Sequence, residues 1–265
     1  MPITDGVGEG ELTPLKIDHL AKIFGMHLAV TQAVLNKNLY YQQQYRYIDL
    51  TAGKGVSPTG LQGSPLVFME QAESDKFKKA YRADLIEQND KNLHELRKKV
   101  HDLAHNNHWQ VANKIYFHLG GYEQTIPNIL THTNNKELGL AFVDPSGSTP
   151  DFDTLRHIAE NRPRMEILIY LSTTNLKREY QYTNKLLSDY MTSLDKKHWL
   201  IRKPISWDSH KWTFLLASNS NIFKDYRSIG FLRWESKEAQ QIFPMLNLSA
   251  KQRMKKLQPP LFDLD

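Results

Sequence analysis

Three short apolar runs in this chain each lead into a carboxylate. YRYIDL (45–50) carries Asp49, ADLIEQN (83–89) carries Glu87, and GLAFVDPSG (139–147) carries Asp144. The first continues into TAGKG (51–55), a Gly-x-Gly turn, and segments of helical length separate the three. A parallel strand needs a crossover of a dozen or more residues before its neighbour, most often a helix. This alternation therefore predicts an open, mostly parallel α/β sheet.

The rest of the chain extends the pattern. Residues 14–38 have helical length and are expected to form one or two helices. Residues 64–73 read as a helix with Ser64 as N-cap and Pro65 in its first turn. Strands are expected at 81–87, 114–119, 138–143 and 165–171, with helices at 90–104, within 122–134, at 152–160 and at 184–194. Residues 198–205 and 211–218 read as a hairpin about the turn WDSH. The expected fold class is α/β and Rossmann-like, a mostly parallel seven-stranded sheet closed by a late antiparallel hairpin. No linker interrupts the 265 residues, so one domain is expected over 1–265. It divides into a helical segment (1–44), a core sheet (45–220) and a basic extension (221–265).

Composition removes several classes of function. The chain has no cysteine, which excludes disulfides, thiolate zinc sites and thiol nucleophiles. His94, His101, His105 and His108 share a helical stripe apart from Leu93, Leu96, Val100 and Leu103, so they are expected to face water and no metal is assigned. No apolar run approaches the ~20 residues of a membrane span, and MPITDGVGEGE is too polar for a signal peptide. A cytoplasmic protein without membrane contact is expected. Charge is uneven: residues 1–176 hold 18 Lys/Arg against 20 Asp/Glu, whereas 177–256 hold 16 against 7. A basic C-terminal third, including Arg202, Lys203 and Lys251–Lys256, suits a polyanion, because each neutralised phosphate releases counterions.

Ligands of open parallel sheets bind outside the carboxyl ends of the strands, near the switch point of strand order. Asp49, Glu87 and Asp144 would all stand at that edge. Gly53 and Gly55 let backbone approach a ligand closely. A carboxylate ending the second strand can accept hydrogen bonds from both ribose hydroxyls and would repel a phosphorylated ribose. No Gly-x-x-x-x-Gly-Lys-[Ser/Thr] or full Gly-x-Gly-x-x-Gly is present, so a ribonucleoside with little or no phosphate is the expected ligand.

YIDLTAGKG (47–55), GSPL (63–66), LIEQN (85–89) and AFVDPSG (141–147), in this order, resemble the S-adenosylmethionine-dependent methyltransferases. With the late WLIRKPISWDSHKWTFLLASN (199–219), the nearest likeness is to the three-Cys-motif partner proteins. The resemblance covers most of residues 45–220. It implies S-adenosylmethionine as cofactor, with Asp49, Ala52 and Gly53 along its methionine part and Glu87 on its ribose. Gly121 and Tyr122 would lie near the adenine and Lys16 over the cofactor carboxylate. Thr51, Gly55 and Gln88 belong to the same cofactor-binding set.

By the same resemblance Asp144, Pro145 and Ser146 are the catalytic positions. Enzymes that methylate base amines carry Asp/Asn/Ser-Pro-Pro-Tyr/Phe here, with the aromatic stacked on the base. This chain has Ser146 and Gly147 instead, so Phe142, Phe152 or Tyr170 would supply the platform, and Asp-Pro-Ser-Gly is also a good type I turn. Arg202 and Lys203 would hold the acceptor's backbone. The expected function is methyl transfer to a nucleic-acid base amine, DNA adenine ahead of RNA. A non-catalytic nucleic-acid or partner-binding protein and a small-molecule methyltransferase are the alternatives.

Overall fold

Helix α1 (Thr13–Lys37) is one continuous helix of 25 residues. Its buried stripe is Leu20, Ile23, Phe24, His27, Leu28, Thr31 and Leu35, a regular helical spacing. The apolar pattern looks irregular in sequence because two stripe positions are polar, while Leu15 and Val34 stay exposed. His27 is satisfied inside the core, its Nδ1 2.8 Å from the Tyr45 hydroxyl. The computed structural model describes residues 13–57, 59–109, 114–145, 147–203, 205–207 and 210–246.

Chain order continues as β1 (Gln44–Asp49), α2 (Ser64–Ala72), β2 (Ala80–Glu87), α3 (Asp90–Asn106), β3 (Ile115–Leu119), α4 (Tyr122–Ile129), β4 (Leu138–Val143), α5 (Phe152–Asn161) and β5 (Met165–Ser172). Then follow α6 (Thr173–Thr183), α7 (Leu187–Thr192), β6 (His198–Arg202), β7 (Ile205–Trp207), β8 (His210–Ser218), α8 (Phe223–Tyr226), β9 (Phe231–Arg233) and α9 (Lys237–Leu246). The sheet order is β3-β2-β1-β4-β5-β8-β6-β9, with β7 paired to β8. Strands β1 to β5 are parallel, and β8 enters antiparallel between β5 and β6. The mostly parallel α/β sheet with a late antiparallel hairpin is thus as expected. The described sheet also carries two three-residue strands, β7 and β9, beyond the seven anticipated.

Both faces are covered, so β1 and β4 are almost continuously buried. One core joins α1, α2 and α3 to Tyr45, Tyr47, Leu85, Phe142 and Trp212. The other joins α4, α5, α6 and α7 to Ile48, Ile86, Val143, Ile169 and Leu215. At the start of β1, Arg46 Nε lies 2.7 Å from buried Asp84, away from the strands' carboxyl edge.

Two local expectations change. Gly63, not Ser64, is the N-cap of α2, because the Ser64 hydroxyl is engaged by Asp49. The helix expected at 184–194 is the shorter α7, preceded by a separate helix, α6, over TTNLKREYQYT. That segment has one buried apolar side chain, Leu176, too little for a visible stripe. His94, His101, His105 and His108 face solvent as expected.

Candidate functional site

The switch point lies between β1 and β4, whose following helices, α2 and α5, pack on opposite faces of the sheet. Asp49 ends β1 there and is fully buried. It accepts the Tyr47 hydroxyl at 2.8 Å, the Ser64 hydroxyl at 2.7 Å and the Thr51 amide at 3.1 Å. Burial raises its carboxyl from 3.8 to about 6, against the pull of those three bonds, and the charge of Asp144 adds to the rise. Direct contact between Asp49 and a ligand is therefore corrected: no surface of it is open, and its part is to shape the turn above it.

In that turn the Gly53 amide donates to Glu87 Oε2 at 2.9 Å, and Gly53 adopts φ +64 with open space where a Cβ would stand. Gly55 differs. A Cβ there would come 2.8 Å from Leu96 Cδ1, so its missing side chain serves the packing of the turn on α3. Ala52 is buried, its amide bonded to the Ile86 carbonyl at 2.9 Å. Glu87 also accepts the Asn89 amide at 2.8 Å, which aims its carboxylate over the turn between β2 and α3. Gln88 is exposed beside it. Gly121 is the N-cap of α4. The Tyr122 hydroxyl accepts the Asp151 amide at 2.9 Å, and burial pushes its phenol up to about 12.

Thr51 links the two halves of the site. Its Oγ1 accepts the amide of Asp144 at 2.8 Å, tying the turn after β1 to the loop after β4. Asp144 and Pro145 are half-buried, and Ser146 lies outside the described residues. Lys16 of α1 reaches Asp144 Oδ2 at 2.7 Å, with its ammonium 4.6 Å from the centre of the Tyr170 ring. Burial, then the nearby Asp144 charge, raise the Tyr170 phenol well above its ordinary value. Lys16, Asp144 and Tyr170 thus form one cluster, and Trp212 extends it at 5.8 Å from Tyr170.

The other expected platforms are corrected. Phe142 is 1% exposed, with its ring edge-on to Phe24 in the core, and has no face to offer. Phe152 is buried and stacked on Tyr190 at 4.5 Å. Arg202 is turned inward, donating to the Ile229 carbonyl at 3.2 Å and to His19 Nδ1 at 2.8 Å. His19 has its pKa lowered to about 4, first by burial and then by Arg202, so it stays neutral and accepts that bond. Lys203 is exposed and pairs with Glu238 at 2.7 Å. Lys196, counted in the basic stripe, is buried against the carbonyls of Pro163 and Met165. Lys251–Lys256 lie outside the described residues. Sequence reading missed Ser64 and Tyr47 as partners of Asp49, and the Thr51–Asp144 bond. The hydroxyl at Thr51, two residues past a strand-ending Asp, was the one available signal.

The donor and acceptor set fits an S-adenosyl cofactor: a carboxylate for ribose hydroxyls, an open glycine turn and an ammonium able to meet a carboxylate. Among the described residues no group of His, Asp and Glu could hold a metal ion, and no helix is long and apolar enough to cross a membrane.

No protein-family profile matches the chain, and no curated protein matches it in sequence. Solved structures do overlap it. A protein of Legionella pneumophila strain Philadelphia 1 has TM-score 0.49 and 12% identity, over 86% of this chain and 91% of its own. A candidate methyltransferase from Streptococcus mutans, in complex with SAH, has TM-score 0.44 and 15% identity, over 79% and 98%. An rRNA methylase from Streptococcus thermophilus has TM-score 0.43 and 10% identity, over 80% and 98%.

Proposed function

We propose that this chain is an S-adenosylmethionine-dependent methyltransferase whose acceptor is a nucleic-acid base amine, DNA adenine ahead of RNA. The observation that carries the reading is the coupling of two carboxylates across one sheet edge. Glu87 holds the open turn at Gly53, and Thr51 in the same turn holds the amide of Asp144. A nucleoside carboxylate and an acceptor-side carboxylate are thereby fixed relative to each other.

The cofactor supplies an activated methyl group; the protein has to bind, align and exclude. Glu87 retains acceptor capacity for ribose hydroxyls beyond its backbone bonds. Lys16 is bonded to Asp144, which Thr51 ties to the turn, and is the ammonium that would meet the cofactor carboxylate. Asp144 accepts the hydrogens of the acceptor amine and so directs its lone pair, and Tyr170 is the aromatic beside it. In-line alignment of this kind can supply much of the rate of a methyl transfer. Exposed Lys185 and Lys203 offer charge for an acceptor's phosphates.

The test is label transfer from S-adenosylmethionine to mixed DNA or RNA, paired with calorimetry of the cofactor alone. Binding with labelling of one nucleic acid is the expected result, and no binding sinks the reading. The Lys16–Asp144 pair favours one rival, a nucleic-acid or partner-binding protein in which the ammonium keeps the acceptor position filled. That rival is supported by cofactor binding without transfer to any acceptor.

A further inference from the structure

Asp144 and the segment 147–151 are held by side chains of other elements. Thr51 fixes the amide of Asp144 and the Tyr122 hydroxyl that of Asp151. Between them, three consecutive residues are each bonded to α6. Arg178 Nη1 donates to the Gly147 carbonyl at 3.0 Å, Asn175 Nδ2 donates to the Ser148 carbonyl at 2.9 Å, and the Thr149 hydroxyl donates to Glu179 Oε2 at 3.2 Å. Asn175, Arg178 and Glu179 stand at i, i+3 and i+4, one face of the helix. The other oxygen of Glu179 accepts the Tyr190 hydroxyl at 2.8 Å, and Tyr190 stacks on Phe152, the first residue of α5. The middle of the loop and the helix that follows it are therefore braced by the same pair of helices, α6 and α7.

We propose that Asn175, Arg178 and Glu179 are positioning residues for the acceptor loop: α6 sets where Asp144 faces without itself meeting the acceptor. This rests on the methyltransferase reading for its consequence, but the clamp is a property of the fold and can be read independently. Two of the three bonds fix backbone carbonyls, which sequence change in the loop does not remove. A loop of this composition needs such bracing, because serine, threonine and glycine give it little apolar surface to bury.

The experiment compares the whole protein with Arg178→Ala, Asn175→Ala and Arg178→Lys, where lysine can still reach a carbonyl. Hydrogen exchange at the Asp151 amide, bonded to Tyr122 at the end of the segment, should accelerate about tenfold in the alanine variants, with partial recovery in Arg178→Lys. Arg178 is exposed, so the melting temperature should stay close to that of the wild type. Transfer should lose roughly 10–100-fold in kcat while the cofactor Kd stays within about twofold, as misplacement of a reacting group predicts. Unchanged exchange in both alanine variants overturns the clamp. Faster exchange with unchanged kcat overturns the positioning role. A wild type that transfers no methyl group overturns the proposed activity instead, and the exchange result still decides the clamp.

Discussion

Lys16 and Asp144 meet at 2.7 Å across 128 residues of chain, joining the first helix to the loop after β4. The pair is about three-quarters buried, so its charges are only partly screened. It holds the acceptor-side carboxylate and the nearest ammonium in one place. A double-mutant cycle of Lys16→Met and Asp144→Asn in urea unfolding should give a coupling of roughly 1 kcal/mol that shrinks as salt is added. Asp144→Ala should also abolish methyl transfer while cofactor affinity, by calorimetry, stays within a few-fold.

Glu87→Ala removes the acceptor of the Gly53 and Asn89 amides together with the proposed ribose contact. Cofactor affinity should weaken by about 1–3 kcal/mol. An unchanged calorimetric Kd would remove Glu87 from the cofactor site.

Thr51→Val keeps the shape of the side chain and deletes the oxygen that accepts the Asp144 amide. The half-buried amide then lacks its partner, which should cost about 1–2 kcal/mol in unfolding. Single-turnover transfer should slow more than cofactor binding weakens. Equal losses in both would place Thr51 on the cofactor side alone.

Asp49 gives a signed pH dependence. Its carboxyl ordinarily titrates at 3.8 and is raised to about 6 in the fold. Between these values the folded chain keeps a proton that the unfolded chain has lost. The carboxyl therefore contributes stability below pH 3.8, and this is lost as pH rises through about 6. The melting temperature of the wild type relative to Asp49→Asn should fall between pH 4 and pH 7. A constant difference across that range would refute the raised value.

Much of the sheet was legible because β4 reads as an unbroken apolar run and β1 and β2 are apolar toward their carboxyl ends, with Arg46, Arg82 and Asp84 as the charged interruptions. The carboxylates were legible for the same reason, since an acid at the end of such a run has few structural excuses. What sequence hid was side-chain direction. Phe142 and Phe152 flank the loop in sequence yet turn into opposite cores, leaving Tyr170 beside Asp144. Charge counting had the same weakness. Lys196 and Arg202 add to a basic stripe on paper, but burial and inward bonds take both out of it. Helix α6 was invisible because its role is polar: it binds a loop through amide, guanidinium and carboxylate groups and carries one core leucine.

Strand β8 lies between β5 and β6 in space but is made after both. It ends at Ser218, roughly 45 residues after β5 ends at Ser172. At ~5–20 residues per second, a nascent chain waits about 2–9 s with the apolar edge MEILIYLS unpaired. During that interval the strand is a template for the wrong neighbour. Slowing translation just past residue 172 should therefore raise aggregation of the newly made protein, whereas slowing it past residue 218 should not.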